Sequence, residues 1–235
     1  MIWAYAICDL PDLPLPRRRG LAHAPLEAVR AGDLVAVVSR HTQPPGEPAV
    51  DALWAHERVV ERLMVNRTVL PLRFGTKLPD VEAMRSVLVA RADEFLAGLA
   101  RVRGRVEIGV RAISKGSPNG RMEEMPAVPA SPPASGREYL FEKLTRGRRH
   151  EREAAALHEP LAALAVASRR SALQSDDEVL RAAYLVERAT VARFRATVER
   201  LQQGLPETAV LCTGPWPPYS FVGDGGDAVA KEVTA

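Results

Sequence analysis

The first half of the chain alternates short apolar runs with stretches whose apolar residues recur at helical spacing. Apolar runs bounded by breaker residues predict four strands, at Ile2–Cys8, Leu34–Ser39, Thr68–Phe74 and Val106–Ile113. Helical spacing predicts two helices, at Val50–Asn66 and Pro79–Arg101. Gly32-Asp33 predicts a turn before the second strand, and Pro71 indicates an edge position or a bend in the third. This order is typical of a small sheet backed by helices.

The second half has a related order of elements. The pattern predicts, in turn, a long helix, two strands, a helix and a strand, at Arg137–Ala165, Ala165–Leu173, Arg181–Glu187, Thr190–Gln203 and Thr208–Thr213. Both orders fit ferredoxin-like layouts, in which helices back a short antiparallel sheet.

A change of composition separates the two halves. Five prolines lie between Pro118 and Pro133, among serine, glycine and alanine. We therefore predict an α+β protein of two domains. The predicted divisions are an N-terminal ferredoxin-like domain over 1–115, a linker or mobile loop over 116–136, a C-terminal α+β domain of related layout over 137–222, and a disordered tail over 223–235.

Composition and charge are those of an ordinary globular protein. Hydrophobic residues make up 46% and charged residues 26% of 235, and the formal net charge is only +3. This charge does not by itself favour nucleic acid as a partner. Cys8 and Cys212 lie in apolar runs, as reduced, buried cysteines of cytosolic proteins do, and a disulfide between them would require the two strands to be close neighbours. We find no signal sequence or membrane-spanning run, and we expect a cytoplasmic protein.

No strong catalytic motif is present, so we expect neither an enzyme nor a cofactor. The chain contains no phosphate-binding loop, no nucleophile elbow and no dinucleotide fingerprint. His56-Glu57 resembles the start of a zinc-protease helix, but Val60 stands where the second histidine would be, and we expect no metal. Glu57 falls on an apolar helix face and needs a partner there, so we predict a structural ion pair between Glu57 and Arg73.

Two other segments are candidates for binding. Arginine clusters at Arg101–Arg105 and Arg146–Arg152 could contact phosphates, but neighbouring Glu151 and Glu153 favour a solvated face. The segment at 214–222, GPWPPYSFV, holds aromatic residues in a proline-rich context, so it either packs back on its own domain or presents anchors to a partner. Its aromatic residues are Trp216, Tyr219 and Phe221.

Several motifs in a fixed order resemble the gas vesicle GvpF/GvpL family. They are ALWAHERVVERLM (52–64), VLPLRFGT (69–76), RVRGRVEIGVRA (101–112), AYLVER (183–188), Phe194 and TGPWPPYSFV (213–222). The resemblance runs from Ile2 to Val222 and is weakest in the proline-rich stretch.

This resemblance implies two α+β domains and an accessory role in gas vesicle formation, without known catalytic residues. It implies association with the small hydrophobic shell protein GvpA and with other accessory proteins. We expect the strand with Leu72 and Phe74 to lie near the contact, with Trp216, Tyr219 and Phe221 as further candidates.

Two other functions remain open from the residues alone. One is a small-ligand or nucleic-acid binding module on a ferredoxin-like scaffold. The other is an enzyme whose site is assembled from scattered residues such as His56, Glu57 and Arg73.

Overall fold

The structure is a computed structural model that describes residues 1–9, 14–17, 19–42, 50–115 and 136–222, with side chains in the last range described from residue 143. The chain divides into two compact units. Unit 1 comprises Met1–Glu107 together with Trp216–Ala235, and unit 2 comprises Ile108–Pro215.

Unit 1 is built on a five-stranded sheet. Its elements in chain order are β1 (Ile2–Cys8), β2 (Leu26–Ala31), β3 (Leu34–Arg40), α1 (Val50–Leu63), β4 (Val69–Pro71), β5 (Lys77–Leu78), α2 (Val81–Ala90) and α3 (Ala92–Val102). The strands run in the order β2-β3-β1-β4, and β5 also pairs with β1. Strand β1 is antiparallel to β3, β4 and β5, and β2 is antiparallel to β3.

Both faces of this sheet are buried. Every residue of β1 is buried, as expected for a strand that is apolar at each position. Ile2, Ala4 and Ile7 pack in a cluster with α2 and α3, whereas Trp3 and Tyr5 pack in a second cluster with α1. A register shift between Ala4 and Ala6 lets Tyr5 and Ala6 enter the same cluster.

Unit 2 holds most of a four-stranded sheet with two helices. Its elements are β6 (Arg105–Ser114), α4 (Gly136–Leu164), β7 (Ala167–Arg170), β8 (Glu178–Glu187), α5 (Val191–Gln203) and β9 (Thr208–Trp216). The strand order is β7-β8-β6-β9, and β7 is antiparallel to β8. Burial alternates residue by residue along β6, which is the pattern of a strand with one covered face.

The predicted fold class, a mixed helix and sheet protein with antiparallel sheets, is confirmed. The ferredoxin-like layout of unit 1 stays an interpretation, because helices cover both faces of its sheet rather than one. Strand β2 was missed by the prediction. The helix predicted at Pro79–Arg101 is divided at Arg91, which ends α2 and precedes α3.

The compact units depart from the predicted domain boundaries at two places. Residues 108–115 belong to unit 2, because β6 pairs with β8 and β9. Residues 216–222 belong to unit 1, because Ser220 donates two hydrogen bonds to the carboxylate of Glu107 and Phe221 is buried. The predicted tail at 223–235, and the predicted linker at 116–136 up to the start of α4, lie outside the described residues.

Candidate partner-binding surface

Helix α1 carries two apolar stripes, and one of them faces the core. His56, Val59, Val60 and Leu63 recur at helical spacing and are buried. They pack on the face of the unit 1 sheet that carries Trp3 and Tyr5. This stripe fixes the orientation of α1 on the sheet.

The second apolar stripe of α1 is exposed to solvent. Val50 is 69% exposed, Leu53 48% and Trp54 52%. The three residues lie within the first five positions of the helix, and Leu53 and Trp54 are three and four residues after Val50, so they share one face. Soluble proteins rarely leave such large apolar side chains side by side in water unless the patch has a binding role.

Carboxylates continue this exposed face toward the end of the helix. Glu57 and Glu61 follow Leu53 and Trp54 at helical spacing. Tyr219 donates a hydrogen bond of 2.8 Å to the Oε2 atom of Glu57. Burial raises the pKa of Glu57, as do the neighbouring charges of Glu61 and Glu107, although the bond from Tyr219 lowers it. The exposed Arg58 and Arg62 lie beside these carboxylates along α1, so this part of the helix carries charges of both signs.

Beneath this surface, His56 is fixed by two hydrogen bonds. Its Nδ1 atom accepts from the indole Nε1 of Trp3 at 3.1 Å, so the proton is on Nε2, which donates to the carbonyl of Leu72 at 3.0 Å. Burial lowers the pKa of His56 to about 4. Because both ring nitrogens are engaged and the residue is fully buried, His56 is a core residue. This geometry does not support the enzyme hypothesis built on His56.

Aromatic rings surround His56. The rings of Trp3 and Phe74 lie 6.4 Å and 5.7 Å from it, centroid to centroid, and the Tyr5 ring lies at 5.2 Å. Tyr5 shares a hydrogen bond of 2.8 Å with Ser39. The signal for this cluster was present in the sequence, since Trp3 and Tyr5 alternate on β1, but their pairing with α1 is a long-range contact that no local pattern gives.

The five residues predicted to contact a partner differ in accessibility. Leu72 is 0% exposed and Phe221 3%, so both are core residues of unit 1 and offer no surface to a partner. Phe74 and Tyr219 are half-buried, and Trp216 is exposed. The segment with Tyr219 and Phe221 belongs to unit 1, where Tyr219 bonds to Glu57. The helical spacing of the sequence groups Val50, Leu53 and Trp54 with Val60 and Leu63 on one apolar face, so it does not predict their exposure.

The predicted Glu57–Arg73 ion pair stays a prediction. The hydrogen bond that the structure gives Glu57 comes from the Tyr219 hydroxyl, which replaces part of the solvation that Glu57 loses on burial. Arg73 is exposed on the segment after β4.

The arginine clusters are partly neutralised by nearby groups. Arg103 lies 3.4 Å from Asp9, Arg149 lies 3.8 Å from Glu153, and Arg105 donates to the carbonyl of Arg101. Such contacts favour a solvated surface over a row of arginines that binds phosphate groups.

Unit 2 contains a cavity of about 540 Å³ between α4 and the segment before β8. Its lining includes His150, Arg170, Asp176 and Glu178. His150 is 9% exposed, and its Nε2 atom has no hydrogen-bond partner within the part of the chain that the structure describes. The Glu178 carboxylate is engaged by Arg111, Arg181 and the amide of Gln174. Among the described residues no group of three or more His, Cys, Asp or Glu could hold a metal ion.

The family model of the gas vesicle synthesis proteins GvpL/GvpF matches residues 1–223. The chain therefore belongs to this family. Two similar proteins come from Streptomyces sp. (strain CB03234). Gas vesicle protein L is 32% identical over 94% of this chain and 92% of that protein, and gas vesicle protein F is 30% identical over 94% and 98%.

A solved structure has the same fold. The crystal structure of gas vesicle protein GvpF from Anabaena sp. PCC7120 matches with a TM-score of 0.77, covers 94% of this chain and 97% of that one, and is 19% identical.

Among the described residues, no helix combines the length and the apolar character needed to cross a membrane.

Proposed function

We propose that this protein assists gas vesicle assembly in the cytoplasm by binding the hydrophobic shell protein GvpA, alone or with other accessory proteins, through the exposed face of α1. The observation that carries the proposal is the stripe of Val50, Leu53 and Trp54, which is exposed at the start of a helix whose other face is fully packed. Family membership supplies the gas vesicle context.

The physical need for such a surface follows from the partner. A shell subunit that polymerises through apolar surface aggregates when it is released unbound, and a soluble protein that covers this surface prevents aggregation. Apolar side chains of α1 are suited to this task, because a helix face and a partner helix can bury rows of residues at matching spacing. Trp54 is the expected anchor, since tryptophan is favoured in the centre of interfaces.

The charges beside the stripe define the partner further. Glu57 and Glu61 follow the apolar residues along α1, and Glu107 adds a third carboxylate nearby, while the exposed Arg58 and Arg62 add positive charge beside them. The face therefore fits an amphipathic segment whose apolar residues are flanked by charged residues of both signs. Half-buried Phe74, which contacts His56 under α1, lies in the region predicted from the sequence.

Binding to purified shell protein tests this proposal. In a pull-down with tagged chain, we expect the double variant Leu53→Ser/Trp54→Ser to bind shell protein about tenfold or more weakly, because two apolar anchors are removed. The matched control is Val89→Ser/Leu96→Ser, which removes two exposed apolar side chains from α2 and α3 of the same unit. Equal binding by wild type and the α1 variant, or equal loss in both variants, would refute α1 as the binding face.

A further inference from the structure

The two edges of the four-stranded sheet are protected very differently. Strand β7 forms one edge, has four residues and ends in the exposed arginines Arg169 and Arg170. Among the residues that the structure describes, strand β9 forms the other edge, has nine residues and contains no charged side chain. Short length and charge are the usual means by which proteins prevent an edge strand from pairing with another chain. β7 has this protection along its whole length, whereas β9 lacks it before Gly214 and Pro215.

The side chains of β9 also suit a contact. Leu211 is 58% exposed, and Ala209 beside it on the same face is exposed as well. Thr213 shares this face because alternate residues of a strand point the same way, and its hydroxyl lies 3.5 Å from the carbonyl of Gly109 on β6. An edge strand that has no charged residue and an exposed leucine at its centre is open to pairing with a strand of another chain.

The ends of β9 limit where a new strand could pair. Pro215 has no N–H group to donate, and the guanidinium of Arg195 donates to the carbonyl of Gly214. Thr208 at the other end is buried. The available ladder is therefore 209–213, and its central residue is Leu211.

We propose that β9 pairs with β9 of a second copy of this chain, antiparallel about a twofold axis at Leu211, so that the two sheets become continuous. Twofold pairing places residue 209 opposite residue 213 of the second copy and Leu211 opposite itself. No like charges meet, because the ladder carries none, and the two exposed Leu211 side chains cover each other. This self-complementarity favours a second copy as the occupant.

The mass of the full-length protein in solution tests the proposal. We expect a dimer of the 25.6 kDa chain in sedimentation velocity at about 100 µM. Leu211→Lys places two ammonium groups opposite each other and returns the protein to a monomer. Leu144→Lys, on the exposed face of α4, is the matched control and leaves the dimer intact. A monomeric wild type, or a dimer that survives Leu211→Lys, overturns the proposal.

Cross-linking tests the register independently of stability. In a Cys212→Ser background, Leu211→Cys places two thiols on directly opposed residues, where Cα separations of about 4.5–5.5 Å allow a disulfide. Ala209→Cys places the thiols four positions apart on the ladder, outside disulfide reach. We expect mild oxidation to give a covalent dimer with Leu211→Cys and none with Ala209→Cys. Cross-linking of Ala209→Cys instead, or of neither variant, contradicts the register.

Discussion

At the residue scale, the imidazole of His56 is buried in the core, and both of its ring nitrogens make hydrogen bonds. Its two ring nitrogens satisfy the Trp3 indole and the Leu72 carbonyl, and thereby join β1, α1 and the residue after β4. A buried polar group costs little when each of its hydrogen-bonding atoms has a partner, but it becomes unfavourable once it must carry a charge. The stability of unit 1 should therefore depend on pH through this residue.

His56→Leu removes both hydrogen bonds, and we expect it to lower the free energy of unfolding at pH 7 by about 3 kcal/mol. Since burial lowers the folded-state pKa of His56 from 6.5 to about 4, wild type loses stability as the pH falls below 6.5, and the loss levels off below about 4. The difference between wild type and variant should shrink by about 2 kcal/mol between pH 7 and pH 4.5.

Urea unfolding followed by tryptophan fluorescence measures this difference. All three tryptophans, Trp3, Trp54 and Trp216, belong to unit 1, so the signal reports that unit. A difference that stays constant with pH would show that His56 does not titrate as the structure implies.

At the element scale, the segment 216–222 packs on the rest of unit 1 and stabilises it. Tyr219 bonds to Glu57 on α1, Ser220 bonds to Glu107, and Phe221 is buried.

Local patterns gave most elements of this molecule, including α1, α4 and β1, because each has a clear apolar period. Strand β2 was missed because its sequence, LEAVRA, mixes charged and small residues, although Gly32-Asp33 after it marks a two-residue hairpin connection to β3.

Phe221→Ala should destabilise unit 1 by about 3–5 kcal/mol, since it removes a fully packed aromatic ring and leaves a cavity. Leu96→Ala is the surface control, and we expect it to change the free energy of unfolding by about 0.5 kcal/mol or less. Both values come from urea titration with the same fluorescence signal. If Phe221→Ala unfolds at the wild-type urea concentration, the segment does not hold the unit together.

At the scale of the whole molecule, the sequence indicated two compact parts. It did not indicate that residues 108–115 belong to unit 2 or that residues 216–222 belong to unit 1. The proline-rich stretch marked a division near the middle. The assignment of 216–222 to unit 1 depends on contacts such as Ser220–Glu107, which join residues 113 positions apart and leave no periodic signal. For the same reason, Leu72 and Phe221 could be recognised as apolar but not as buried, and the exposed stripe of α1 became visible only once its packed face was known.

The central claim is that the exposed face of α1 serves gas vesicle assembly, and complementation of a deletion tests it most directly. The gene is deleted from a gas vesicle cluster, and pressure-sensitive light scattering of the cells is measured after return of wild type, Leu53→Ser/Trp54→Ser or Val89→Ser/Leu96→Ser. We predict that the collapsible signal is lost on deletion, returns with wild type and the Val89/Leu96 variant, and stays low with the Leu53/Trp54 variant at equal protein level. Full return of the signal with the Leu53/Trp54 variant would contradict the claim.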